Sequence, residues 1–199
     1  TEVHPSLEYD QLYSQKIQAH PVSVETISAL FFYSLALSAW KQYQDTSWAL
    51  RVNPSSGNLH PTEGYLVIDK IKGKCFLPGV YHYTPKEHGL ELRTEFGLEL
   101  WKELTDQLPQ GSFLVGLSSI HWREAWKYGE RAFRYCQHDI GHAWAALAIS
   151  ASMLGWKLQI LNTISDEAIA QLLGLNRFND FEMEEKETPD LLAAIVPSN

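Results

Sequence analysis

Three stretches of the chain carry residues whose types and spacing could do chemistry. The first, RVNPSSGNLHPTE at residues 51–63, sets Ser55, Ser56 and Asn58 around Gly57 and behind Pro54. Gly57 lets backbone amides come close to a ligand, the small side chains supply donors and acceptors, and Arg51 adds a planar cation. That set suits a polar heterocycle or a phosphate, and the same composition also serves an ordinary turn. The second, WREAWKYGERAFRY at residues 122–135, interleaves Arg123, Lys127, Arg131 and Arg134 with Trp122, Trp126, Tyr128, Phe133 and Tyr135. Charges alone, offset by Glu124 and Glu130, would make a solvated face, whereas the aromatic residues between them fit a ligand-binding wall. Adjacent Lys127 and Tyr128 can act as acid and base once burial tunes either pKa. The third is HDIGH at residues 138–142. His138 and His142 share the spacing of the HExxH zinc signature, with Asp139 in the Glu position. Asp is one methylene short of that base, Gly141 weakens the helix and no third ligand is signposted, so histidines packing a helix are expected and no metal.

Residues 26–41 are expected to form a helix opened by Pro21, Ser23 and Glu25, because Ile27, Leu30, Phe31, Ser34, Leu35 and Ser38 recur every three or four positions. Residues 65–68, 80–84, 90–93 and 113–120 read as strands, and 99–107 as a short amphipathic helix. Residues 134–154, with Ile140, Trp144, Leu147 and Ala151 on one stripe, form the central helix, which Gly155 stops. A strand at 158–161, a helix at 165–173 capped by Ser165 and a last strand at 191–196 follow, and the acidic stretch 182–187 reads as a solvated loop. Helices and strands mingle without regular βαβ alternation. The class is therefore α+β, helices on a mixed, mostly antiparallel sheet, in one domain over 21–199 after a polar extension at 1–20.

Composition narrows the partners. A formal charge of -8 and a pI near 5.4 argue against nucleic acid and anionic membrane, which attract cationic surfaces. The longest apolar runs, 29–39 and 143–149, are too short to span a bilayer. Cys75 and Cys136 make neither a CxxC nor a finger spacing, so a cytoplasmic setting without disulfides or structural zinc is expected. No GxGxxG fingerprint points to a nicotinamide domain.

In their order along the chain these residues resemble the SagB-type dehydrogenases of the FMN-dependent nitroreductase superfamily. The likeness covers most of the sequence and rests on RVNPSSGNLHPTEGYLVI, GVYHY, KYGERAFRY, HDIGHAWAAL followed by Gly155, and the closing LLAAIVP. It implies a nitroreductase-like three-layer fold and FMN as cofactor. Arg51, Pro54, Ser55, Ser56, Gly57 and Asn58 would border the flavin ring and ribityl chain, and Arg131 would shape or hold the site. Lys127 and Tyr128 would assist proton removal while hydride passes to flavin N5. Family members usually carry an Arg-Arg-Ser element ahead of the first helix for the phosphate, where this chain has Lys16, His20 and Ser23. Relatives often have a Gly-Gly turn after the late strand, where Leu161, Asn162 and Thr163 stand here. Some relatives hold two nitroreductase-like halves. A homodimer, or a pseudo-dimer in which the second half completes the site, is thus implied, with NAD(P)H a transient reductant and a small molecule or peptide as substrate. Two other readings stay open: a flavin-free binding or scaffold module, and a metal hydrolase built on HDIGH. The absorbance of the purified protein separates them.

Overall fold

The computed structural model describes residues 3, 7–14, 17–71 and 76–197, so Lys16 and Cys75 lie outside the described residues. Strands β3 (Thr62–Ile68) and β6 (Phe113–Ser119) are buried along their whole length, the pattern of strands covered on both faces. They pair antiparallel, Leu66 opposite Val115. Around them β4 (Gly79–Thr84), β5 (Gly89–Glu95), β7 (Trp156–Ile160) and β8 (Thr188–Pro197) complete a sheet ordered β5-β4-β3-β6-β8-β7. Every ladder in this sheet is antiparallel, so no strand pairing is mixed.

Strand alternation divides the core in two. Leu66, Val115 and Leu117 pack with Ile27, Leu30 and Phe31 of α2 (Val24–Phe32) and with Ile140, Ala143 and Leu147 of α5 (Ala132–Met153). Tyr65, Val67 and Leu114 pack instead with Ile169 and Leu173 of α6 (Asp166–Leu173). The result is the expected three-layer α+β arrangement, a helix-covered antiparallel sheet. Helix α5, about 33 Å long at 1.5 Å per residue, buries Cys136, Asp139, Ile140, Ala143, Leu147, Ser150 and Ala151 at helical spacing. Gly155 ends it at φ 70, and a Cβ there would stand 2.6 Å from the Gln18 carbonyl, so residues 18–20 can close over the helix end.

Two expectations are corrected. The helix expected over residues 26–41 stops at Phe32, and β1 (Leu37–Tyr43) pairs with β2 (Thr46–Arg51) as a separate hairpin. Leu35 and Ala36 both donate backbone N–H groups to the Phe31 carbonyl, which tightens the chain out of the helix, and beyond them the backbone is satisfied by β2. The apolar spacing runs on past this point, and the turn residues Gln44 and Asp45 carry no glycine to betray a hairpin, although Gln44 takes a positive φ of 51. The acidic stretch 182–187 is only partly a solvated loop. Glu187 is half-buried, accepting hydrogen bonds from Tyr65 Oη at 2.7 Å and Ser118 Oγ at 2.5 Å, and Glu185 pairs with Arg123 at 2.5 Å.

Candidate functional site

The Pro-Ser-Ser-Gly-Asn turn is built by its own polar groups. Gly57, Asn58 and His60 take positive φ values of 63, 60 and 51, a conformation costing roughly 1–2 kcal/mol per residue outside glycine. Hydrogen bonds offset that strain. Ser55 Oγ accepts from the His60 amide at 2.8 Å, Asn58 Nδ2 donates to the Ala49 carbonyl at 3.0 Å, and His60 Nε2 meets Asn58 Oδ1 at 2.7 Å. Burial, then Arg51 and Arg123, hold the His60 imidazole down to about 4. The ring is therefore neutral at pH 7. From across the molecule Asp139 on α5 accepts Ser56 N at 3.1 Å and Ser56 Oγ at 3.2 Å. The residue that stood in the third stretch as a would-be metal-site base thus grips the first stretch.

The second stretch arrives on the other side. Its first half is helix α4 (His121–Tyr128), which reverses at Gly129, φ 58, through a short turn into α5. A Cβ on Gly57 would stand 2.6 Å from Tyr128 Oη and 2.8 Å from Lys127 Nζ. The amine and the phenol thus converge on the one residue of the turn without a side chain. Tyr128 rests against Tyr135, ring centres 4.5 Å apart, and Lys127 Nζ lies 5.3 Å from the Tyr128 ring centre. Beneath them Glu124 is fully enclosed with neither carboxyl oxygen hydrogen-bonded. Burial first, and Asp139 second, push its carboxyl up to about 7. Cys136 is enclosed beside this pair and burial pushes its thiol up to about 12, which makes it unreactive.

Arg51 is turned into the scaffold. It donates to the Thr62 carbonyl at 2.9 Å and lies 3.9 Å from Glu63. Glu63 also takes Arg123 at 2.6 Å and His82 Nε2 at 2.9 Å. Burial works against the charged form of Glu63, but the His82 hydrogen bond and the Arg51 and Arg123 charges outweigh it and keep its pKa low. Arg123 further donates to the His60 carbonyl at 3.0 Å, so one charge cluster fastens both ends of the turn. Pro54 lines an open, mainly apolar hollow of about 350 Å³ with Tyr33, Val52, His142, Ala146 and Ile149. Arg131 is exposed, and no hydrogen bond or ion pair among the described residues ties it to the turn. His138 and His142 are exposed on the outer side of α5 rather than packed in a core, and among the described residues no group of three or more His, Cys, Asp or Glu could hold a metal.

All three stretches therefore meet at Ser56 and Gly57. Sequence reasoning missed four participants: Asp139 as the anchor of Ser56, Glu63 as the counter-charge of Arg51 and Arg123, His82 as the partner of Glu63, and Glu124. Glu63, Glu124 and Asp139 lie inside the three stretches and His82 in GVYHY, but their types alone assign none of these roles, and nothing near Asp139 in the chain announces a partner 83 positions away. The residues fit the ring end of a flavin, since the turn has a cradle that a Cβ would fill, an apolar hollow beside it and an amine and phenol over it. The phosphate end is less provided for. Ser23 caps α2 by accepting from Thr26 N, and His20 is bonded through its backbone to Leu154 and Trp156.

A Ser-Ser-Gly turn facing a Lys-Tyr pair thus stands at one edge of a three-layer antiparallel α+β fold. Residues 19–183 match the nitroreductase family, and the chain belongs to that family. It is 30% identical over 172 residues to the trifolitoxin-processing protein TfxB of Rhizobium leguminosarum bv. trifolii, covering 81% of this chain and 46% of that protein. The chain thus spans about half the length of that relative, and the likeness agrees with the SagB-type branch that the motifs resemble. Its fold is shared with a chain of the E. coli microcin synthetase McbBCD complex with truncated pro-MccB17 bound (TM-score 0.70, 19% identity, 100% of this chain and 76% of that one). It is shared also with a protein from Exiguobacterium sibiricum solved in complex with FMN (TM-score 0.51, 14% identity, 98% and 90%).

Proposed function

We propose that this chain is the FMN-binding unit of a SagB-type dehydrogenase that removes a hydride and a proton, two electrons and two protons in all, from a peptide-borne heterocycle such as an azoline. The observation that carries the reading is the approach of Lys127 Nζ and Tyr128 Oη to Gly57. A bound flavin would supply the hydride acceptor. The Pro54, Ser55, Ser56, Gly57 and Asn58 turn would hold the ring by close backbone approach and by the apolar hollow at Pro54. Arg51 acts through the turn by fixing the Thr62 carbonyl and Glu63, and exposed Arg131 is free to take an anionic group of cofactor or substrate. Lys127 and Tyr128 sit where they can take the substrate proton and exclude water. A peptide substrate is supported by the names of TfxB and of the McbBCD complex. NAD(P)H, where it takes part, visits as a transient reductant.

A second nitroreductase-like unit, whether another copy or a homologous half, would complete the site. Trp122, Trp126, Phe133 and Trp144 are exposed by 41% or more on α4 and α5, and among the described residues no clamp is built at the phosphate end. The test combines fluorescence titration of FMN with stopped-flow flavin reduction by an azoline-bearing peptide. Lys127→Ala and Tyr128→Phe are expected to bind FMN as the wild type does and to slow reduction by about 10²–10⁴-fold, the scale of a lost general acid or base. Wild-type reduction rates in both variants would remove the pair from the chemistry, and a chain with no affinity for FMN would end the flavin reading.

A further inference from the structure

A second cavity, of about 240 Å³, lies between α2 and the β4–β5 hairpin. Val24, Ile27, Phe31, Phe76 and Leu90 give it apolar walls, and none of its lining residues belongs to the Ser-Ser-Gly turn or to α4. One wall is polar, for Ser28, His88 and Tyr83 stand there in a hydrogen-bonded row. Ser28 Oγ lies 2.8 Å from His88 Nε2, and His88 Nδ1 lies 2.8 Å from Tyr83 Oη. His88 takes a positive φ of 47 although a glycine follows it, a conformation that side chains other than glycine rarely adopt. Backbone departures of this kind persist where surrounding contacts fix them, and they gather at functional positions. Here the departure sets the imidazole between a helix sixty positions away and a strand residue five away.

The row has a direction. Tyr83 is 2% exposed, Phe31 stacks on its ring at 4.7 Å, and among the described residues His88 Nδ1 is the hydrogen-bond partner of its Oη. Burial raises the phenol pKa, so the O–H is kept. An enclosed hydroxyl left without an acceptor is costly, and the phenol therefore donates to Nδ1. Burial, the largest cause, lowers the pKa of His88, so its ring is neutral and carries its one proton on Nε2. Nε2 in turn donates to Ser28 Oγ. Among the described residues Ser28 Oγ makes no bond back to its own helix, the usual resort of a helical serine. Its O–H is left to donate into the cavity. The same direction removes a nucleophilic role, since an imidazole that donates to a serine does not take the serine's proton.

We infer that this cavity binds a small apolar molecule, one substituted ring in size, that carries a single hydrogen-bond acceptor such as a carbonyl oxygen. An apolar cavity of about 150 Å³ takes a benzene ring, so the larger space here takes a ring with a short substituent. The ring packs against Ile27, Phe31 and Leu90, and the acceptor meets the Ser28 hydroxyl. This site goes beyond the flavin chemistry proposed above and does not depend on it.

Acetophenone and ethylbenzene test this, because they share a shape and only the ketone has an acceptor. Each is titrated into the full chain with nitrogen-labelled histidine, and proton–nitrogen NMR spectra report binding and the tautomer of His88. The expected result is saturable binding of both to the wild type, acetophenone tighter by about tenfold, the scale of one neutral hydrogen bond, with the His88 proton on Nε2. Ser28→Ala should bind the two alike, and Leu90→Trp, which fills the cavity from its half-buried edge, should bind neither. A wild type that binds neither molecule overturns the inference, as does a preference for the ketone that survives Ser28→Ala. A His88 ring protonated at Nδ1, or undiminished binding in Leu90→Trp, does the same. Flavin reduction plays no part in these titrations, so their failure leaves the functional reading standing.

Discussion

At Gly57 a missing side chain makes room for two others. A methyl group there would meet Tyr128 Oη and Lys127 Nζ at a backbone φ of 63. Both atoms are tips of side chains that can swing aside, so Gly57→Ala should cost only about 1 kcal/mol, the left-handed backbone penalty, while displacing the pair from the turn. Thermal melts should show a loss of a few degrees, and stopped-flow reduction a fall of about 10²-fold, in line with lost positioning. Full turnover with a lowered Tm would place the chemistry elsewhere. Glu124 makes the opposite trade. Its folded pKa of about 7 lies above the ordinary value of 4.5, so the unfolded chain sheds the proton first and the native state is penalised increasingly from pH 4.5 up to 7. Glu124→Gln should therefore gain stability relative to wild type across that window, by at most about 3 kcal/mol from 1.36 kcal/mol per pKa unit. Urea melts at pH 4 and pH 8 with equal differences between the two proteins would refute the assignment of an enclosed acid.

At the scale of elements, the turn is held by pieces far apart in the chain: β2 through Ala49, α5 through Asp139, and α4 through Arg123. Glu63 on β3 is the common counter-charge, and His82 on β4 completes it. Burial disfavours the charged imidazole of His82, but the hydrogen bond and charge of Glu63 outweigh burial and raise its pKa above 6.5. Its contribution is therefore fully present below pH 6.5 and lost as pH rises through the folded value. The stability gap between wild type and His82→Gln should be widest below pH 6.5 and shrink above it; a gap that grows with pH would reverse the assignment. Helices α5 and α6 were legible because each carries a complete local signal, an apolar stripe and a Gly stop or a Ser165 cap. The β1–β2 hairpin was not, since the apolar spacing of α2 runs through it and strand pairing, a contact between separate segments, decides its conformation.

At the scale of the whole molecule, the aromatic side chains left outside matter most. Trp126 and Phe133, 62% and 63% exposed, flank the turn that carries Lys127 and Tyr128, and Trp40 and Tyr43 stand out on the hairpin, 64% and 67% exposed. Aromatic surface of this kind is enriched where proteins associate. Trp126→Ser with Phe133→Ser should lower the associated fraction in light scattering and weaken FMN binding together. A strictly monomeric wild type that keeps one tightly bound FMN per chain would separate cofactor from partner and defeat the two-unit site. Among the described residues no helix is long and apolar enough to cross a membrane.

Local chemistry and periodicity were sufficient for the α+β class, the central helix, most strand positions and the three stretches that matter, because each is encoded in residues that are near one another in the chain. The same stretches could not reveal that Asp139 anchors Ser56, that Arg51 faces Glu63 and Thr62, or that Gly57 lies against Tyr128 Oη and Lys127 Nζ. The first and last of those facts depend on the packing of α5 and α4 against a turn more than sixty residues earlier, and the Arg51 contacts on how the chain folds back from β2 to β3. A hydrogen bond across that distance leaves no periodic trace, since its partners are brought together only when the sheet and its covering helices have formed. Glu124 is the clearest case. In the sequence it is one of two acids offsetting nearby cations, and only enclosure against Asp139 turns it from a surface charge into a proton-holding acid.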